Sequence, residues 1–67
     1  NARLEPLGNR EFAIYQANTV IGYIRWTCRK STLVDGYYYS KCSNGRMVES
    51  YVVYPTPQHC LAGFLKE

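Results

Sequence analysis

Few side chains in this sequence can do covalent chemistry. His59 is the only histidine among 67 residues, and it stands beside Cys60. A cysteine–histidine nucleophile needs the imidazole within hydrogen-bond reach of the sulfur, whereas neighbours in an extended segment point to opposite faces. His59 therefore reads as a solvated loop residue after Pro57. Glu11, Asp35 and Glu49 offer no close-spaced carboxylate pair for acid–base work, and no glycine-rich phosphate loop occurs. Cys28, Cys42, His59 and Cys60 are types that zinc accepts, but structural zinc ligands come in pairs two to four residues apart. The only close pair here is adjacent in sequence. No enzyme, catalytic residue, cofactor or metal site is expected.

Binding chemistry is better represented. Between residues 25 and 46, Arg25, Arg29, Lys30, Lys41 and Arg46 face a single carboxylate, Asp35. Tyr23, Arg25 and Arg29 alternate onto one face of a strand, and Tyr37, Tyr39 and Lys41 onto one face of the next. Should those two faces coincide, rings for stacking would lie beside cations for phosphate, as single-stranded nucleic acid requires. Tyrosine and arginine also dominate protein–protein hot spots, so the same six residues support a protein partner. The plain alternative is packing: tyrosines cover sheet surfaces, and basic residues at edges deter aggregation.

The elements that must position these residues are mostly strands. Residues 1–9 carry Pro6, Gly8 and two asparagines without sustained periodicity and read as a flexible N-terminal arm. Residues 10–16 (REFAIYQ) alternate imperfectly, as a first strand. Residues 19–30 (TVIGYIRWTCRK) are rich in β-branched and aromatic types, with Val20, Ile24, Trp26 and Cys28 on one face. Trp26 is expected to be largely buried. A helix competes, because Ile14, Ala17, Ile21, Ile24 and Cys28 fall at helical spacing. The poor helix formers at positions 18–22 favour the strand.

Asp35-Gly36 is a turn signal, and Asn44-Gly45 a stronger one that supplies two positive φ angles. Residues 37–42 and 46–54 then form a hairpin, which Pro55 and Pro57 end. CLAGFL (60–65) reads as a short last strand with Gly63 at a bulge. Together these give an all-β domain over residues 10–67, a small antiparallel sandwich or barrel of four to six short strands. A strand such as 46–54, if its edge is open, could add to a partner's sheet.

The chain is long enough for one domain, but a domain this short has a marginal core. Such domains commonly recruit a disulfide in an oxidising compartment. One bridge is expected among Cys28, Cys42 and Cys60, by any of the three pairings, leaving an odd thiol. No apolar run approaches the roughly 20 residues of a membrane span. No basic leader with an apolar segment is present, so a secreted protein would be in its mature form.

The plan of REFAIYQ, TVIGYIRWTCRKS, the YYYSKC–NG–RMVESYVVY hairpin and CLAGFL resembles the MAX family of secreted fungal effectors. Their fold is a sandwich of two three-stranded sheets, usually with one disulfide. The resemblance implies a virulence or avirulence protein secreted into a plant host, acting inside host cells, binding a host protein without catalysis. The tail SYVVYPTPQHCLAGFL looks like the closing hairpin of fungal guanyl-specific ribonucleases. Tyr51 stands where that family carries a catalytic arginine, which implies a non-catalytic, ribonuclease-like effector. The functional expectation is a secreted effector that binds a host protein; the alternative is a single-stranded nucleic-acid-binding module on the basic–aromatic face.

Overall fold

Five strands form: β1 (Ala2–Gly8), β2 (Glu11–Gln16), β3 (Thr19–Arg29), β4 (Val34–Ser43) and β5 (Arg46–Glu49), with β-branched and aromatic residues concentrated in β2, β3 and β4. A single helix, α1 (Pro57–Lys66), follows. The computed structural model describes residues 1–29 and 34–66, with the side chains of Cys28, Arg29 and Val34 outside the description. The strands form one antiparallel meander in the order β1-β2-β3-β4-β5. The largely β, antiparallel fold expected from the sequence is thus what forms, with α1 laid across β3 and β4.

Two-residue turns join β1 to β2 and β4 to β5. Asn9 and Arg10 both have positive φ (53° and 58°), as do Asn44 and Gly45 (53° and 76°). Paired positive φ angles match the twist of the strands they join. The Asn44-Gly45 hairpin therefore forms where it was expected.

Four other expectations are corrected. Residues 2–8 are not a loose arm but the first strand, in register from Ala2↔Gln16 to Pro6↔Phe12. An edge strand tolerates a proline, and Ala2 and Leu4 alternate inward between Arg3 and Glu5. Asp35-Gly36 does not turn; it lies within β4, where a Cβ on Gly36 would sit 2.6 Å from the Tyr54 carbonyl oxygen. Only glycine lets the returning chain come that close.

The strand expected over 46–54 stops at Glu49. There the Ser50 hydroxyl accepts the Tyr39 N–H at 3.2 Å and donates to the Val52 carbonyl at 2.9 Å. The Ser50 N–H still donates to the Tyr39 carbonyl at 3.0 Å, but a side chain replaces the reciprocal ladder bond. The chain rejoins β4 at Tyr54, which exchanges two 2.8 Å backbone bonds with Tyr37.

CLAGFL is helical, not a strand. Pro57 occupies the first helical position, where a missing N–H costs nothing. Thr56 caps the helix by accepting the His59 N–H at 3.1 Å, a contact typically worth about 1 kcal/mol. Cys60 and Phe64, four residues apart on one helix face, are both buried.

These two seal the core with Ile14, Ile24 and Tyr39, and Leu4, Phe12, Ile21, Tyr37, Tyr54 and Leu61 pack around it. Gly22 makes the seat: a Cβ there would lie 2.5 Å from Phe64 Cε2. The side of the sheet that meets α1 is called the inner face below.

Candidate functional site

In an antiparallel sheet, residues directly opposite each other project from the same face. β3 and β4 pair as Gly22↔Lys41, Tyr23↔Ser40, Ile24↔Tyr39, Arg25↔Tyr38 and Trp26↔Tyr37. Tyr23 and Arg25 therefore share the outer face with Tyr38. Tyr37, Tyr39 and Lys41 share the inner face with Ile24 and Trp26. The two halves of the expected basic–aromatic surface lie on opposite sides of the sheet. Arg29 continues β3, with its side chain outside the description.

The inner half is structural. Tyr39 is 3% exposed and meets Phe64 edge to face at 5.4 Å. Lys41 Nζ lies 4.8 Å from the Phe64 ring centroid and donates to the Phe64 carbonyl at 3.4 Å, at the end of α1. A cation near a helix C-terminus is favourable. Tyr37 packs edge to face on Trp26 at 5.0 Å. Trp26, expected deep in the core, is half-buried, with the Arg10 guanidinium 4.6 Å from its ring.

The outer half is neutralised. Arg25 stands 5.0 Å from the Tyr23 ring and donates to Glu11 at 3.2 Å. Arg3 lies 4.9 Å from the Tyr15 ring and bonds Glu5 at 3.2 Å. Each of these two arginines has a carboxylate beside it, an arrangement that offers phosphate little net charge.

Val20 also departs from the expected inner set. The β2–β3 register slips between Ile14↔Gly22 and Tyr15↔Val20, leaving Ile21 as the extra residue of a bulge. Beyond a one-residue slip the facing reverses. Val20 turns out, 38% exposed, and Ile21 packs against the core instead.

The expected disulfide is absent. Cys42 and Cys60 are both free, and each of the three possible pairings needs one of them. Cys42 is exposed on the outer face, opposite Met47. Cys60 is buried beneath α1 on the inner side, so the sheet lies between the two sulfurs. Burial pushes the Cys60 thiol from 9.0 up to about 12, which holds it protonated. His59 points elsewhere: its Nδ1 shares a 2.6 Å hydrogen bond with the Thr56 hydroxyl. Among the described residues no group of histidine, cysteine or carboxylate side chains is arranged to hold a metal ion.

What gathers exposed apolar surface is the β5 edge. Met47 is 61% exposed, Val48 45%, Tyr51 95% and Val52 58%. Tyr51 and Val52 follow Ser50 in the segment that its hydroxyl ties to both β4 and Val52. Below them a groove of about 310 Å³ is lined by Tyr39, Val48, Glu49, Ser50, Val52 and Tyr54. Reading 46–54 as one strand concealed this cluster. The usable signal was Ser50, a residue that competes for backbone bonds in the middle of an apolar run. No family model, no curated protein and no solved structure matches this chain.

Proposed function

We propose that this chain is a non-catalytic binding module that engages a protein partner along its β5 edge. One observation carries the reading: Val48, Tyr51 and Val52 are all exposed along one sheet edge, where they line a single groove, and the Ser50 bonds fix the loop that presents two of them. An exposed tyrosine among aliphatic neighbours suits a hot spot. An open strand edge adds main-chain bonds to an incoming strand. Joined to the effector resemblance, this describes a small secreted virulence protein docking on a host protein. The free cysteines lend no support to an oxidising compartment, so secretion rests on that resemblance.

The test is photocrosslinking from position 51, with position 23 on the outer face as control, followed by calorimetry on the captured partner. Binding should weaken at least tenfold in Tyr51→Ala and in Val48→Lys, and hold in Arg25→Ala. Full affinity in both edge variants, or capture from position 23 alone, would refute the assignment.

A further inference from the structure

The opposite edge of the sheet carries a different pattern. β1 is an outermost strand, and among the described residues its far side pairs with no other strand. Its sequence runs Ala2-Arg3-Leu4-Glu5-Pro6, with Arg3 and Glu5 projecting from the outer face and Leu4 from the inner. Two copies of one strand meeting antiparallel do so about a two-fold axis normal to the sheet. Because opposed residues must share a face, that axis passes through a residue, and three registers use the middle of the strand. An axis through Arg3 sets Arg3 against itself. An axis through Glu5 sets Glu5 against itself. An axis through Leu4 sets Arg3 against Glu5 twice, with Leu4 on Leu4 and Ala2 on Pro6. Opposite charges across a sheet stabilise and like charges destabilise, so the charges select the third.

We propose that β1 is a homodimer edge, pairing with a second copy of this chain about Leu4 so that Arg3 of each copy faces Glu5 of the other. Within one copy both side chains already share the outer face. The Arg3 guanidinium donates to the Ala17 carbonyl at 2.9 Å, lies over the Tyr15 ring, and bonds Glu5 Oε1. These contacts hold it on the outer face but lean it over β2, so that pairing with the second Glu5 swings it toward the open edge. Leu4 is only half-buried within one copy, and the paired strands cover it with its counterpart. Pro6 withholds one donor from each strand, which keeps the pairing short and makes the two reciprocal charge pairs decisive. Exposed pairs are screened by salt, so the dimer is salt-sensitive.

Sedimentation velocity on the full chain, over a concentration series at low and high salt, tests this. The expected result is a concentration-dependent dimer that weakens in salt. Glu5→Arg, which leaves the Arg3 contacts to Tyr15 and Ala17 in place, should weaken it roughly tenfold or more, as two attractive pairs become repulsive. Arg3→Glu should do the same. An equimolar mixture of the two single variants should associate again, and the double swap Arg3→Glu/Glu5→Arg should restore self-association. Far-UV circular dichroism checks that each variant folds, and Glu5→Arg alone decides if Arg3→Glu does not. Val48→Lys on the far edge should leave the dimer unchanged. A monomer at every concentration, a dimer indifferent to Glu5→Arg, or one abolished by Val48→Lys would overturn the proposal.

Discussion

The two faces of this sheet are built from the same residue types and do different work. On the inner face, Tyr37, Tyr39 and Lys41 pack against Trp26, Phe64 and the end of α1. On the outer face, Tyr23, Arg25 and Tyr15 stay at the surface beside Glu11 and Arg3. Tyrosine and a cation are core cement on one side and a solvated lattice on the other. Which role each takes is decided by strand register, not by composition.

The sharpest way to break this contrast is to remove the inner seal. Phe64→Ala should cost about 3 to 5 kcal/mol, enough to unfold much of a domain whose total stability is of order 5 to 15 kcal/mol. Arg25→Ala on the outer face should cost less than about 1 kcal/mol. Urea unfolding followed by circular dichroism compares them, and equal losses would erase the distinction.

Next comes pH. The folded Cys60 thiol titrates near 12, above its ordinary 9.0, so the unfolded chain loses that proton first. Its contribution is complete below about pH 9 and declines as pH rises toward 12, by about 1.4 kcal/mol per unit. Cys60→Ala should remove that share of the alkaline slope, which unfolding curves at stepped pH will read.

A smaller effect is expected at Ser50. Ser50→Ala strips the acceptor from the Tyr39 N–H and should cost about 1 to 3 kcal/mol, the penalty for an unsatisfied buried donor. It should also loosen Tyr51, seen as a faster tumbling tyrosine in relaxation measurements. Smallest of all, a double-mutant cycle on Glu11 and Arg25 should give a coupling of about 0.2 to 1 kcal/mol. A larger coupling would mean that the outer face is more buried than its exposure indicates.

Local signals made much of the fold legible. The β-branched run of β3 and the Asn44-Gly45 turn lie where alternation and turn chemistry put them. The errors have physical causes. Pro6 and Gly8 disguised β1, because an edge strand accepts residues that a central strand does not. Cys60, Leu61 and Phe64 sit at helical spacing, but the run is too short for periodicity alone to separate helix from strand. The candidate surface failed on parity. Alternation along one strand gives its two faces but not which face matches its neighbour's, and a one-residue difference in register exchanges them. Tyr23 opposes Ser40 rather than Tyr39, and nothing within either strand states that offset. The bulge at Ile21 adds a second reversal, which is why Val20 faces out.

The most direct test of one sealed face and one open face uses the two cysteines as reporters. Peptide-resolved alkylation of the native protein, without reductant, should label Cys42 promptly and leave Cys60 unmodified. In denaturant both should label, still without reductant, because neither is in a disulfide. Native labelling of Cys60 as fast as Cys42, or recovery of either residue in a disulfide, would contradict the account.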